Sequence, residues 1–515
     1  MAASSTPLTA PAAYRALRTR DRRFDGVFYV GVSSTGVYCR PVCPARTPKA
    51  ANCRFFASAE AAEKARFRPC LRCRPELAPG LAPVDDARRL AQLIVQRIDE
   101  GSVEGDASVE DVAAKFELSS RQLRRIVQAE LGVSPIELLQ TRRLLLAKQL
   151  LTETRLPVTE IAFASGFSSL RRFNDAFLNR YRLPPSRLRA RAGGEPDGSR
   201  AGDTSRLRLA YRAPYNWSGL LAFLEARHLA GVEHVDGSHY RRTVRLGRHS
   251  GWIAVGNDPA RSSLDLEFTH TLVPVLPAML GRLRHLFDLF ARPDLIDAQL
   301  RKDATLRPSV TRNPGLRVPG AFDGFELAMR AVLRQQVTVA TATRLYGRLA
   351  DDLGEAVATP FPALSRSAPT PAQIVDAGVE RLGGLGIIRA RAHALVALAH
   401  AVGDGSIRLE PGAARESTID ALTALPGIGD WTAQYIAMRA LRWPDAFPAH
   451  DAALLDRLGG ITAADAEARS QRWRPWRSYA VLHLWARPRS TVSSRARRSA
   501  APEPRRDRGP PSPAG

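Results

Sequence analysis

Between residues 85 and 190 apolar positions recur with a 3.6-residue period and almost never alternate, which predicts an all-helical block. That block repeats itself. "SVEDVAAKFELSSRQLRRIV" returns as "PVTEIAFASGFSSLRRFNDAF", with Val109/Val158, Ala113/Ala162 and Ser119-Ser120/Ser168-Ser169 each offset by 49 residues. Each copy reads as a short helix, a turn and a Ser-capped second helix rich in Arg. Phe116, Leu118, Leu123, Ile126, Val127, Ile161, Phe167, Phe173 and Phe177 take the core positions of the two copies. After a Gly-, Pro-, Asp- and Ser-rich linker over 191–204 the period changes. "LRLAYR", "YRRTVRL" and "LDLEF" alternate as strands across 205–275, and helical spacing resumes over 276–486. Residues 1–13 and the segment 487–515, with eight Arg, two acids and many Pro and Ser, carry no such pattern and are expected to be disordered.

Composition narrows the setting. A chain of 515 residues supplies about three ordinary domains and buries its cores without disulfides. No apolar run approaches the ~20 residues needed to span a bilayer, and the N-terminus lacks the order of a secretory signal, so a cytoplasmic protein without membrane attachment is expected. The formal charge is +24 and nearly all of it is Arg, with Lys only at 49, 64, 115, 148 and 302. So large a surplus favours a polyanionic partner, and double-stranded DNA fits best.

All five cysteines fall between residues 39 and 73. Cys39-x3-Cys43 and Cys70-x2-Cys73 form two close pairs separated by 26 residues, a spacing that brings four thiolates onto one zinc ion. Cys53 stands outside both pairs and reads as a small buried apolar residue. Arg40, Arg46, Arg54, Arg66, Arg68, Arg72 and Arg74 surround the pairs and offer a positive face to a phosphate backbone. A zinc-bound thiolate beside phosphate stays nucleophilic at neutral pH and can accept an alkyl group; the alternative is a zinc that only folds the domain. "STGVYCRPVC" followed by "FRPCLRC" resembles the N-terminal domain of the Ada adaptive-response proteins, over 14–80 here. That resemblance implies irreversible transfer of a methyl group from a DNA phosphotriester to Cys39, with Cys43, Cys70 and Cys73 completing the site. It also implies backbone contacts from Thr35, Arg46 and Arg68.

The paired repeat with "RLPPSRLR" is similar to the AraC-type double helix-turn-helix domain, which also follows the zinc domain in Ada. The second helix of each copy belongs in a major groove. Arg121, Gln122 and Arg125 are its candidates in the first copy, and Leu170, Arg171 and Asn174 in the second. Two such units in one chain make a monomer sufficient for two groove contacts, and an activator of this kind implies RNA polymerase as a further partner. Ada carries a second alkyltransferase domain whose nucleophile is a cysteine; this sequence has no cysteine after Cys73, so that chemistry has no thiol here.

"LPGIGDWTAQYIAMRALRWPDAFPAHD" (425–451) takes that place. Gly427 and Gly429 suit a tight turn whose backbone approaches a phosphate, the helix-hairpin-helix signature. With "YRAPYNWSGLLAFLEAR" and "WRPWRSYAVLHLW", the region 205–486 resembles 3-methyladenine DNA glycosylase II. The resemblance implies Asp451 as the catalytic carboxylate, a base pocket of Trp431, Tyr435 and Trp476, and a DNA-inserting loop at Gln335 and Gln336. Aromatic faces suit a cationic alkylpurine flipped from the duplex. Trp431 stands where lyases of this superfamily carry their Lys, so a monofunctional hydrolase is expected. The alternative role for Asp451 is a helix N-cap, while His450 and His483 read as capping or surface groups. The expected architecture is multidomain and mainly α: a small α+β zinc domain, an all-α double helix-turn-helix over 85–190, and a glycosylase with a small mixed sheet subdomain and two helical subdomains. The rival reading is a regulator whose glycosylase-like half only binds DNA.

Overall fold

The computed structural model describes residues 8–78, 110, 113, 119–192, 203–335, 337–413 and 415–487. Most of the first helix of the first repeat copy, the bulk of the 191–204 linker and nearly all of the expected tail thus lie outside the described residues.

The cysteine block is a four-stranded sheet in the order β3-β1-β2-β4, formed by β1 (Tyr29–Val32), β2 (Val37–Cys39), β3 (Cys53–Phe56) and β4 (Arg68–Pro69). β2 pairs parallel with β4, which carries Cys70 to the end of the strand holding Cys39. The expectation of disorder over 1–13 fails from Ala10 onwards. A helix spans Ala10–Arg18 with Pro at its start, and Ala13, Ala16 and Leu17 bury against Phe28, Val30 and Phe55. Cys53 is only half-buried, and its thiol points to the Lys49 carbonyl.

The helical block forms as the period dictates. Ser119 and Ser134 each close a capping box, with Gln122 and Glu137, at the starts of helices Ser120–Leu131 and Pro135–Glu153. Val158–Ala164 and Leu170–Tyr181 make the second helix-turn-helix, and the rings of Phe173, Phe177 and Tyr181 pack in series, each tilted against the next, inside it. Helix Pro135–Glu153 is buried on several sides. Leu144, Leu150 and Leu151 belong to one apolar cluster with Phe173 and Phe177 and with the sheet that follows.

That sheet contains β5 (Thr204–Ala210), β6 (Glu233–Asp236), β7 (His239–Leu246), β8 (His249–Asp258) and β9 (Ser263–Thr269) in the order β5-β9-β8-β7-β6. Every pairing is antiparallel, where a mixed sheet was expected. Short hairpins join β6 to β9 in sequence, and β5 enters at the far edge beside β9, so no parallel crossover arises. Leu207 and Leu209 of β5 and Leu264, Leu266 and Phe268 of β9 face Met279, Leu280 and Leu283 of helix Leu276–Leu286. Beyond it, helix Gly324–Leu333 is packed by helices Val339–Leu353, Arg389–Gly403 and Asp430–Arg439. Buried side chains from Leu229 to Leu484 join around it in a second large core. Among the described residues no helix is long and apolar enough to cross a membrane.

Candidate active site, zinc centre and nucleic-acid interfaces

Cys39 ends β2, Cys43 closes the following turn, and Cys70 and Cys73 flank the turn after β4. All four thiols are buried with their sulfurs within 4.8 Å of one another. Tetrahedral zinc–sulfur bonds of about 2.3 Å place sulfurs about 3.8 Å apart, so the set fits the ion. The chemistry agrees. Hydrogen bonding to Cys43 pushes the Cys39 thiol up, bonding to Cys39 pushes Cys73 up, and bonding to Cys39 pulls Cys70 down. Four thiols left to themselves thus share protons, and a divalent cation is what lets all four ionise.

The surrounding arginines divide into two classes. Arg40 pairs with Asp25, and its backbone N–H donates to Cys73 Sγ at 3.3 Å. Arg74 binds Glu76 at 3.0 Å and Glu153 at 2.9 Å. Neither is left for phosphate, which corrects the expectation that both belong to the DNA-facing ring. Arg46, Arg66, Arg68 and Arg72 are exposed, as is Thr35 in the turn between β1 and β2. Arg54 lies over the rings of Phe56 and Phe67.

On the helical block Arg121, Arg125, Arg171 and Asn174 are exposed on the second helices of the two copies. Gln122 is tied back by its capping box, its Oε1 accepting from the Ser119 N–H at 3.0 Å. Leu170, expected at the groove, packs instead against the core shared with Phe173 and Phe177.

In the C-terminal half, Leu425–Gly429 turns between helices Arg415–Ala424 and Asp430–Arg439. Gly427 has φ +78°, and a Cβ there would lie 3.2 Å from Ala394 Cβ. Gly429 is extended, exposed and open, and it is the N-cap of the second helix with no side chain to cover the amides. Gln335 Nε2 donates to the Gly427 carbonyl at 2.8 Å and to Thr432 Oγ1 at 3.1 Å, bracing the turn. Gln336 lies outside the described residues.

One and a half turns into the second helix, the aromatic groups meet the acid. Trp431 and Tyr435 stack at 5.4 Å and 10°, as four-residue spacing on a helix allows. Trp431 Nε1 donates to Asp451 Oδ2 at 2.9 Å, and Trp485 Nε1 donates to Asp451 Oδ1 at 3.0 Å. Asp451 Oδ1 also accepts the Leu454 N–H at 2.8 Å, so the carboxylate is at once an N-cap and the meeting point of two indoles. Trp485 continues the ring cluster to Tyr435 at 6.4 Å and to Phe223 at 6.3 Å. The structure therefore brings Trp431, Tyr435 and Asp451 together and sends Trp476 elsewhere. Trp476 is buried edge-on against Tyr479, whose hydroxyl donates to Asp288 at 2.7 Å. Sequence reasoning missed Trp485. The signal was its place in helix Arg477–Trp485: nine residues, about two and a half turns, put positions 476 and 485 on opposite faces. Phe223, on helix Trp217–Glu225, was also missed. His450 is exposed, 3.3 Å from Asp430. His483 is no surface group: it is buried against Ser309, and burial pulls its imidazole down to about 4.

Four families match in tandem: the metal binding domain of Ada over 12–76, a helix-turn-helix domain over 112–191, the AlkA N-terminal domain over 206–323, and the HhH-GPD superfamily of base excision DNA repair proteins over 329–478. A protein of Mycobacterium tuberculosis, "Probable bifunctional transcriptional activator/DNA repair enzyme AlkA", is 39% identical over 479 residues, which are 92% of this chain and 95% of the relative. The chain belongs to that family. Two further relatives divide it between them. "DNA-3-methyladenine glycosylase 2" of Escherichia coli is 37% identical over 54% of this chain and 95% of its own length. "Bifunctional transcriptional activator/DNA repair enzyme AdaA" of Bacillus subtilis is 30% identical over 34% of this chain and 81% of its own length. The four cysteines are accordingly the zinc site of the Ada-type domain, and the Trp431–Asp451–Trp485 cluster lies in the glycosylase half of this activator/repair fusion.

Proposed function

We propose that this activator/repair fusion removes alkylated purines such as 3-methyladenine from DNA as a monofunctional hydrolase, and that its zinc domain accepts methyl groups from backbone phosphotriesters. The observation that carries the first part is Asp451, whose two oxygens are fixed by the indole N–H groups of Trp431 and Trp485 beside stacked, partly exposed aromatic faces. Those faces hold a cationic purine flipped from the duplex. As the C1′–N bond breaks, its electron pair leaves with the base and neutralises it. The positive charge left on the sugar is stabilised by the Asp451 carboxylate, and water adds at C1′ and gives up a proton to solvent, leaving a neutral abasic sugar. Asp451→Asn keeps one acceptor oxygen, enough for the Leu454 N–H and the Trp485 indole on Oδ1, and removes the charge together with the acceptor that Trp431 uses. Release of free 3-methyladenine from methylated duplex DNA is expected to fall about 10²–10³-fold. Equal inertness of wild type and variant would leave a regulator with an inactive glycosylase fold.

In the zinc domain Cys39, Cys43, Cys70 and Cys73 would hold the ion, which would keep them as thiolates at neutral pH, and Cys39 is the acceptor. Its sulfur attacks the methyl carbon, the carbon–oxygen bond breaks, and the phosphate oxygen keeps the electron pair as an ordinary diester. The thioether removes one negative charge from the site, and the exposed Arg46, Arg66, Arg68 and Arg72 then meet the DNA backbone with less repulsion. Transcription activation through the helix-turn-helix pair and RNA polymerase follows from that tighter binding. Mass spectrometry after exposure to methylated DNA is expected to show one added methyl, located on Cys39 and lost in Cys39→Ser. No adduct would make the zinc purely structural.

A further inference from the structure

Tyr435 differs from most other buried tyrosines in what its hydroxyl does; that of Tyr346 has no partner at all. Tyr38, Tyr240 and Tyr479 donate to the carboxylates of Glu63, Glu233 and Asp288, and Tyr215 donates to the Phe287 carbonyl. The Tyr435 oxygen instead accepts from Arg439 Nη1 at 2.7 Å, and among the described residues no carbonyl or carboxylate receives its proton. Arg439 is itself buried, and its remaining bonds go to the carbonyls of Pro319 at 2.8 Å and Gly320 at 2.9 Å, so among the described residues it has no carboxylate counter-ion.

Three more guanidinium groups lie near enough for their charge to act on the phenol. Arg227 comes from the end of helix Trp217–Glu225, lies 3.9 Å over Phe223, and has a buried Nε with no partner. Arg330 and Arg334 come from helix Gly324–Leu333 and its C-cap, which pack on Tyr435's own helix. Opposite charge is scarce. Glu233 gives Oε1 to Arg242 and Tyr240 and stands 4.0 Å from Arg330 through Oε2, Glu326 is taken by Arg242, and Asp451 is held by the two indoles.

We propose that Tyr435 acts as a phenolate, a fixed anion under the indole faces that favours a cationic purine over a neutral one of similar shape. Burial by itself would push its hydroxyl up; Arg439, Arg227, Arg330 and Arg334 outweigh that and pull it down to about 7. The phenolate serves two ends. It adds negative charge to a guanidinium cluster in which Glu233 is the one carboxylate within ion-pair distance among the described residues, and it places negative charge against the base, where an uncharged ring offers only its quadrupole.

This inference rests on the glycosylase reading for its purpose but not for its first test. The tyrosinate ultraviolet difference spectrum of the full-length zinc-loaded protein is titrated for wild type, Tyr435→Phe and Arg334→Gln. One of the ten tyrosines is expected to ionise near neutrality in wild type and in no such window in Tyr435→Phe. Removing the Arg334 charge is expected to move that midpoint upward. The second readout is excision from duplexes carrying 3-methyladenine, a fixed cation, or hypoxanthine, a neutral purine. Tyr435→Phe is expected to raise KM for the cation about tenfold and to leave the neutral base within about twofold. A first tyrosinate signal appearing only near the ordinary phenol range overturns the proposal, as does an equal KM change for both bases. A protein that shows the neutral titration yet excises nothing overturns the hydrolase reading and the selectivity built on it, while the ionised Tyr435 stands.

Discussion

Asp451 carries two loads, and a choice of side chain separates them. Asn caps a helix as well as Asp does, whereas Ala does not. Asp451→Asn is therefore expected to keep the thermal stability of the C-terminal half, and Asp451→Ala to lose about 1 kcal/mol of it on top of the same loss of excision. Calorimetry beside the release assay checks both, and a destabilised Asn variant would show that the charge or the Trp431 bond, and not the cap alone, holds the helix. Trp485 is tested the same way. Trp485→Phe keeps a smaller aromatic face and deletes the N–H that reaches Asp451 Oδ1, so excision is expected to fall about tenfold with the fold intact. Trp476→Phe, changing a ring packed on Tyr479, is expected to leave excision alone. The sequence displayed Trp431, Tyr435 and Asp451 because they sit in one contiguous motif. Trp485 and Phe223 were harder to see, because they join the cluster from the last and first helices of the glycosylase half and only tertiary packing brings them there.

At the scale of the element, the hairpin shows how two glycines in one motif answer to different physics. Both were legible as turn residues, but the structure divides their roles. Gly427 needs its left-handed backbone and lies close to Ala394, whereas Gly429 has ordinary extended dihedrals and open space around it. Gly427→Ala is expected to cost about 1–2 kcal/mol of stability. Gly429→Ala is expected to leave the melting temperature nearly unchanged and to weaken duplex binding several-fold, because its methyl stands over the uncovered amides of the helix Asp430–Arg439. Melting curves and DNA titrations of the two variants should therefore rank in opposite orders; parallel losses would mean the glycines serve the fold alone. The β elements were legible as alternating stretches, yet their pairing was not. Sequence alternation fixes which side chains point inward, while the neighbour of each strand depends on hairpin lengths and on where β5 enters the sheet.

In the whole molecule, helix Pro135–Glu153 is the member that the other parts share. Its Lys148 is buried against Glu76 of the zinc domain at 2.5 Å and also donates to the Cys70 carbonyl at 3.3 Å. One turn on, Glu153 accepts Arg74 at 2.9 Å from the zinc domain and Arg208 at 2.9 Å from β5. The sequence marked 85–190 as a separate unit because period and composition change at its ends; nothing in those patterns shows that its central helix is buried between its neighbours. This arrangement makes Lys148 a long-range support of the zinc site. Lys148→Met keeps the stem's volume but leaves the Glu76 carboxylate with Arg74 alone, at a cost below the ~3–5 kcal/mol of a buried charge left wholly unpaired. The Lys148 cation, with Arg74, also holds Glu76 below the usual carboxylate range against the opposing pull of burial. Without the lysine, burial and the remaining arginine compete alone, and the loop bearing Cys70 loses a bond at its carbonyl. The expected result is faster zinc release to a chelator in Lys148→Met than in wild type, with 3-methyladenine excision retained because its aromatic cluster belongs to the other large core. Zinc loss at the wild-type rate would show that the metal site stands on its own strands. Loss of excision together with zinc would show instead that the three parts fold as one cooperative unit through this helix.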